Sequence, residues 1–177
     1  MTSLFSNDFV SPKVLEKLPE GYACRPLQRG DYKLGHLDVL RGLTHVGEIT
    51  EEEWTERFDA LKASNGTYYV VVLVQKDGDV EKRIVGTGTL VVEKKFLYKL
   101  GIQGHIEDIA IAEDQQGKKL GLKLLQFLSY IAEKTGCYKT ILDCSPAKEG
   151  FYVKCGYEKA GLEMHCYYDA EAQKHRV

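Results

Sequence analysis

A mixed α/β domain is the fold class this sequence predicts: a central sheet with both antiparallel and parallel strands, flanked by helices. Three observations carry that expectation. Strongly β-forming segments at 67–76 and 83–94 follow one another across a short polar connection, as an antiparallel pair does. Strand, glycine-containing loop, amphipathic helix and strand then succeed one another between residues 104 and 144, the order of a βαβ unit. The 177 residues amount to one domain, long enough to bury a core without cross-links. Residues 1–20 are set apart as an N-terminal arm and residues 21–177 as the domain.

Residues 1–20 read as a loosely attached arm with one short helix near 14–17. Residues 22–27 form the first strand. Asp31 is the predicted N-cap of a helix that carries Leu34, Leu37, Leu40 and Leu43 on one side and breaks at 44–47. Thr50 followed by Glu53 makes a capping box for a second helix, with Trp54, Phe58 and Leu61 as its buried face. The hairpin of 67–76 with 83–94 closes through a loop of five or six residues that begins at Asp77-Gly78. Gly86 and Gly88, inside its second strand, mark a bulge or a close backbone approach.

Strand 104–112 then leads through Gln115, Gln116, Gly117 and Lys118 into a helix with Leu120, Leu124, Leu128 and Ile131 on one stripe, ending near Gly136. Composition makes 138–144 a strand buried on both faces. Ser145-Pro146 opens a short helix that stops before Gly156, since proline suits the first helical position. Residues 157–168 are expected to supply at least one closing strand.

Bulk properties exclude several classes of function. Hydrophobic residues at 44% and charged residues at 28% are ordinary for a globular chain and argue against disorder. A formal charge of −2 gives no general pull toward nucleic acid or an anionic membrane, so affinity for phosphate must be local. No apolar run is long enough to span a membrane and no signal-peptide pattern opens the chain, so a cytoplasmic protein is expected. Five cysteines without a Cys-x-x-Cys spacing fit a reducing compartment. Five scattered histidines without a His-x-x-x-His pair argue against a metal site.

The run from His105 to Leu125 carries most of the chemistry. An apolar strand bears two carboxylates, Glu107 and Asp108, and enters a helix through a glycine-containing turn. Such a turn leaves the first backbone N–H groups of the helix without intrahelical acceptors. Those donors, the positive end of the helix dipole, and Lys118 with Lys119 make a site for an anion such as a diphosphate. The carboxylates put proton-handling groups a short strand-length upstream.

Gln116-Gly117-Lys118-Lys119-Leu120-Gly121 resembles the loop of the GNAT acetyltransferase family, of the form Gln/Arg-x-x-Gly-x-Gly/Ala, with Lys119 in place of the middle glycine. Longer blocks extend the resemblance: Gly104-His105-Ile106-Glu107-Asp108-Ile109-Ala110, Gly136-Cys137-Tyr138-Lys139, Leu142-Asp143-Cys144 and Phe151-Tyr152-Val153-Lys154-Cys155-Gly156-Tyr157. Upstream, Leu43-Thr44-His45-Val46-Gly47 and Val92-Glu93-Lys94-Lys95-Phe96 agree as well. These blocks, spanning about residues 22–168, are similar to the branch of the family that acetylates glucosamine 6-phosphate.

The resemblance implies a GNAT fold with a βαβ core that binds acetyl-coenzyme A. It also implies transfer of acetyl to the 2-amino group of glucosamine 6-phosphate, on the route to UDP-N-acetylglucosamine, without a metal. By position in the family, Gln116, Gly117, Lys118, Lys119, Leu120, Gly121 and Leu122 hold the cofactor's diphosphate, and the backbone of Ile109, Ala110 and Ile111 holds its acetyl carbonyl and pantetheine arm. Lys119 can still donate its backbone N–H there if its φ stays below zero. Tyr152 faces the leaving thiolate, a role its weakly acidic phenol suits as a hydrogen-bond donor. Glu107 takes the amine proton directly or through water. Asp143 orients the amine or the cofactor arm, or is simply a helix-flanking acid.

Thr44, Lys95, Phe96, Leu97, Tyr98, Asp108, Tyr138 and Lys139 match sugar-phosphate contacts, and Lys95 and Lys139 are the cations available to the phosphate. Some members carry an arginine near the position of Tyr167, which this chain lacks. A homodimer is implied as well, with Leu162, Met164, Cys166, Tyr167 and Tyr168 as an edge strand in need of cover.

Rival readings remain at this stage. One keeps the cofactor and changes the acceptor to a protein N-terminus or a polyamine; such cations favour an acidic mouth, whereas Lys95, Lys99 and Lys139 favour an anion. A second is an acyl-coenzyme A-binding module without turnover. A third, a nucleotide site at Gly117-Lys118-Lys119, lacks the residue order of a Walker loop. Cys144 or Cys155 as an acyl-accepting nucleophile has no histidine nearby in sequence, and burial as a small apolar residue suits both better.

Overall fold

The computed structural model describes residues 2–175, which divide into two compact units, one running to Ile141 and one from Leu142 onward. The first unit is built on a five-stranded sheet. Strand β1 (Tyr22–Pro26) lies antiparallel to β2 (Tyr68–Asp77), β2 to β3 (Val80–Lys94) and β3 to β4 (Ile102–Ile111), while β5 (Cys137–Ile141) runs parallel to β4. The sheet is therefore mixed, as its sequence pattern predicts. A parallel neighbour needs a crossover, and the helix between β4 and β5 supplies it.

Helices α1 (Pro12–Leu15), α2 (His36–Arg41), α3 (Glu51–Ala63) and α5 (Leu120–Lys134) complete this unit, with α4 (Leu97–Leu100) a single turn whose Tyr98 and Lys99 lie outside right-handed helical geometry. Val71, Val72, Leu73 and Val74 of β2 are fully buried, so β2 is covered on both faces. On one side Val70, Val72 and Val74 pack with Leu37, Trp54 and Phe58. On the other, α5 presents Leu120, Leu124, Leu128 and Ile131, all buried. The capping box of α3 is formed: Glu53 N–H donates to Thr50 Oγ1 at 3.2 Å and Thr50 N–H donates to Glu53 Oε2 at 2.8 Å.

The structure departs from the sequence expectations at six places. Asp31 does not cap a helix: its carboxylate accepts from Arg25 Nη1 and Nη2 at 2.8 Å each and from the Gln28 N–H at 2.7 Å, and α2 starts at His36 behind Gly35. A fully buried carboxylate is satisfied by a bidentate guanidinium in preference to capping. The hairpin loop is two residues, Gly78-Asp79, because Asp77 pairs with Val80 and the polar stretch 80–83 continues the ladder beyond the core. Gly78 takes φ +57, which a turn this tight requires.

The strand expected at 138–144 is shorter and is the sheet edge; Tyr138 and Lys139 are exposed, so it is not buried on both faces. Residues 157–168 form no strand, and without a ladder partner their Leu162, Met164 and Tyr168 stay exposed. The N-terminal residues are not loosely attached: Leu4 and Val10 are buried, Ser3 bridges to Gln28, and Phe5 lies 4.9 Å from the Tyr69 ring. Cys144 is exposed, not a buried apolar residue. No helix among the described residues is long and apolar enough to cross a membrane.

The second unit contains α6 (Pro146–Lys154) and α7 (Ala170–Lys174). Pro146 occupies the first turn of α6 after Ser145, and Gly156, at φ +95, follows its end, as the sequence signals predict.

Candidate active site

Strand β4 is interrupted where its two carboxylates stand. Thr87 pairs with Ala110 but Thr89 pairs with Glu107, so Asp108 and Ile109 together oppose the single residue Gly88. This is a β-bulge. Asp108 takes φ +53, a left-handed conformation uncommon for a side chain with a Cβ. The glycine opposite is needed sterically: a Cβ on Gly88 would lie 2.6 Å from Ile109 Cδ1 and 3.0 Å from Leu128 Cδ1. Gly86 likewise lets Ile111 approach, since a Cβ there would meet its Cδ1 at 2.7 Å. Close approach at both glycines, with the extra residue on β4, resolves the alternatives the sequence left open.

The bulge ends the simple alternation of Glu107 and Asp108. Glu107 is exposed and its Oε1 is 3.1 Å from His105 Nε2. His105 Nδ1 is 3.9 Å from Glu93 Oε1, and Glu93 also pairs with Lys95. Desolvation holds the Asp108 carboxyl above the usual range, although its surface is open. His105 escapes a sequence reading centred on the carboxylates; its signal is the i, i+2 spacing to Glu107 on one strand.

Beyond β4 the chain makes a single tight turn at Glu113–Gln115 and enters the Gln116–Lys119 segment. Gly117 takes φ +81 and Lys119 φ +60. Lys119 thus does not meet the condition of a φ below zero: it adopts the left-handed conformation that glycine takes without penalty. Two left-handed residues around Lys118 turn the backbone into α5. The first bond back into the helix is Lys123 N–H to the Lys119 carbonyl at 3.2 Å, so the amides of Leu120, Gly121 and Leu122 have no intrahelical acceptor. A Cβ on Gly117 would meet nothing within 4 Å, which leaves room for a ligand to approach the backbone.

A second cluster forms at the β5 edge. Tyr98 and Tyr138 lie with ring centroids 4.6 Å apart, and Tyr138 Oη donates to Gln103 Oε1 at 3.3 Å. Lys139 Nζ is 5.9 Å from the Tyr138 ring centroid. Tyr98, Lys99 and Leu100 all have left-handed φ, between +52 and +64, a run that costs energy in L-residues. Phe96, Leu97, Tyr98 and Leu100 are exposed, Phe96 at 94%. Of the two cations offered to a phosphate, Lys95 is engaged by Glu93, whereas Lys139 contacts an aromatic face. Thr44 follows the end of α2 and lines a cavity of about 300 Å³ with Arg41, His45, Val46, Gly47 and Glu48.

Asp143 and Tyr152 belong to the second unit. Asp143 is exposed ahead of α6. Tyr152 is half-buried, with its ring 5.1 Å from Phe151 and 6.1 Å from Tyr157, both edge-on. Burial, with smaller contributions from Cys144, Tyr157 and Cys155, pushes its phenol above the ordinary tyrosine value. Burial also raises the Cys155 thiol, which disfavours a thiolate nucleophile there.

The profile of the acetyltransferase (GNAT) family matches residues 36–157. The chain belongs to that family. Among its relatives are the glucosamine 6-phosphate N-acetyltransferase of Candida albicans, 46% identical over 149 residues that make up 84% of this chain and 97% of that one. The glucosamine 6-phosphate N-acetyltransferase 1 of Dictyostelium discoideum is 41% identical over 84% of this chain and 92% of its own. The crystal structure of the Arabidopsis thaliana glucosamine-6-phosphate N-acetyltransferase superposes with a TM-score of 0.80 at 35% identity, covering 85% of this chain and all of that one.

Within the GNAT fold, the left-handed φ at Lys119 falls where the family loop carries its middle glycine, so a lysine here keeps the backbone path of a glycine. Cys137–Ile141, the parallel strand that this GNAT chain leaves at the sheet edge, carries Tyr138 and Lys139 together. Tyr22, which reaches the loop through Gln115, had no sequence signal, because nothing in the pattern couples positions 93 residues apart.

Proposed function

We propose that this chain transfers the acetyl group of acetyl-coenzyme A to the 2-amino group of D-glucosamine 6-phosphate, releasing coenzyme A and N-acetyl-D-glucosamine 6-phosphate on the route to UDP-N-acetylglucosamine. The observation that carries this reading is a strand bulged at Asp108 that leads, through two left-handed loop residues, into the open N-terminus of α5. Relatives of 41% and 46% identity that bear the name of this reaction favour the acceptor.

In this reading the diphosphate rests on the amides of residues 116–122, which donate hydrogen bonds at the positive end of the helix dipole. The backbone of Ile109, Ala110 and Ile111 holds the pantetheine arm and polarises the thioester carbonyl. The neutral amine of the sugar attacks that carbonyl carbon in a ternary complex, without an acyl-enzyme. A C–N bond forms, the C–S bond breaks, and the electron pair leaves on sulfur. Glu107, or a water it holds, takes the proton that the nitrogen loses. His105, 3.1 Å away, keeps that carboxylate oriented. Tyr152 donates to the departing thiolate; a phenol raised by burial is protonated throughout the neutral range and is a hydrogen-bond donor there. Asp143 orients the amine.

Lys139 is the principal cation for the sugar phosphate, joined by Tyr138, Thr44, Asp108 and the segment Lys95, Phe96, Leu97 and Tyr98. The exposed apolar side chains of 96–100, the open β5 edge and the bare Leu162, Met164 and Tyr168 favour a homodimer in which a second copy covers them. The cytoplasm is the proposed location.

The test is thiol release from acetyl-coenzyme A with glucosamine 6-phosphate, glucosamine and glucosamine 1-phosphate as acceptors. The expected result is release with the first and little with the others. Equal release with all three would overturn the phosphate assignment, and cofactor binding without release would leave only a binding module.

A further inference from the structure

We infer that Tyr22 and Gln115 are positioning residues that hold the Lys118 ammonium as a standing, uncompensated cation for the cofactor diphosphate; this rests on the cofactor reading above. Tyr22 opens β1, on the far side of the sequence from the loop. Its Oη donates to Gln115 Oε1 at 2.5 Å. Lys118 Nζ donates to that same Gln115 Oε1 at 2.8 Å and to Tyr22 Oη at 3.0 Å. The three side chains close a triangle of three hydrogen bonds.

The orientation of Gln115 is fixed from its other end. Its side chain is buried, and its Nε2 donates to Asp114 Oδ2 at 2.8 Å. Asp114 is in turn held by Arg83 of β3. An amide turned the other way would set its carbonyl oxygen against the Asp114 carboxylate and its N–H groups against the lysine, so the carbonyl oxygen must face Tyr22 and Lys118. The loop is thereby tied to two strands, β1 and β3.

The charge of the lysine decides what this is for. Both of its acceptors are neutral oxygens, and no carboxylate of the described residues pairs with it. Lys95, by contrast, is set against the Glu93 carboxylate. Here two N–H donors anchor the side chain, the third remains, and the full positive charge is kept beside the opening of α5. A free lysine loses its rotamer freedom when it meets a ligand; a cradled one has lost it already on folding. The triangle therefore raises affinity by preorganisation, without a contact from Tyr22 or Gln115 to the ligand.

Tyr22→Phe removes only the hydroxyl. Calorimetric affinity is measured for coenzyme A, for dephospho-coenzyme A, which keeps the diphosphate but lacks the 3′-phosphate, and for pantetheine, which lacks both. The expected result is a weakening of roughly three- to tenfold for the first two, the loss of one hydrogen bond, and none for pantetheine. KM for acetyl-coenzyme A rises accordingly while kcat is unchanged, and in a Lys118→Met background Tyr22→Phe has no further effect. Gln115→Glu, which sets a negative charge against the lysine in the same shape, is expected to weaken the two diphosphate ligands more. Equal weakening of pantetheine would reduce the triangle to a structural brace, and weakening of coenzyme A alone would assign the lysine to the 3′-phosphate; either overturns the inference. Wild-type protein that binds none of the three fails at the cofactor reading itself.

Discussion

Acidification should destabilise this fold through one histidine, between pH 6.5 and 4. His36 is buried at the start of α2; its Nδ1 accepts from Trp54 Nε1 at 3.2 Å and its Nε2 contacts Thr87 Oγ1 at 3.2 Å, with the Trp54 ring 5.8 Å away edge-on. The tautomer follows: Nδ1 accepts, so Nε2 carries the proton. Burial lowers its pKa from 6.5 to about 4, with Asp31 pulling weakly the other way. A second proton would have to go onto Nδ1, break the Trp54 bond and leave a charge in the core.

The sign follows from linkage. The unfolded chain binds this proton more readily, so the stability tied to the neutral ring is complete above pH 6.5 and is lost as pH falls toward 4. The ceiling, from a difference of about 2.5 in pKa, is about 3 kcal/mol. Between pH 7 and pH 5 the loss is about 1.8 kcal/mol, or roughly 4–7 °C in Tm for a chain of this size. Carboxylates held low, Glu53 by Thr50, Asp59 by Arg29, Glu81 by Arg25 and Asp114 by Arg83, lose their contribution only below their ordinary values of 4.5 and 3.8. The assay is thermal unfolding at pH 7, 6 and 5 for the wild type and for His36→Gln. The variant is expected to be less stable at pH 7 but to have a flatter profile. If both proteins lose the same Tm over that interval, the histidine is not the acid-sensitive group.

Four further predictions concern the site and its scaffold. Tyr152→Phe should lower kcat by about 10²-fold or more while leaving the Kd for coenzyme A unchanged, read by thiol release and calorimetry. Lys139→Ala should raise KM for glucosamine 6-phosphate by about 10- to 150-fold with little change in kcat, since a charge-assisted bond contributes about 1.5–3 kcal/mol. Gly88→Ala should cost about 1–3 kcal/mol in urea unfolding and also reduce activity, because its Cβ collides with Ile109 behind the Asp108 bulge. Lys119→Gly should stabilise the fold by up to about 1 kcal/mol, since φ +60 is free of penalty only for glycine; a loss of stability would show that the left-handed turn is not populated.

What was legible in the sequence and what was not separate along a physical line. Local chemistry was readable: the Thr50–Glu53 box, Pro146 at a helix start and the α5 stripe each depend on residues within one or two turns. A misreading arose where a side chain had a partner outside its own turn: Asp31 looks like an N-cap until Arg25 of β1 claims its carboxylate. The segment 138–144 reads as buried by composition, yet the strand it supplies, Cys137–Ile141, is placed last in the sheet and has one bare edge whatever its composition.

Segment 157–168 fails for the related reason that an edge strand exists only against a neighbour. The same exposed side chains that defeat the single-chain expectation are those a second copy would cover, so its absence as a strand here and its pattern of alternate apolar residues are compatible. At the site the division is sharper. The loop's donors are backbone groups, whose supply was evident from a glycine turn before a helix. Their geometry was not evident, because it depends on Lys119 accepting a glycine conformation and on Tyr22 reaching across the fold to Gln115. Such a loop can therefore be recognised by composition while part of its geometry depends on residues that the motif does not contain.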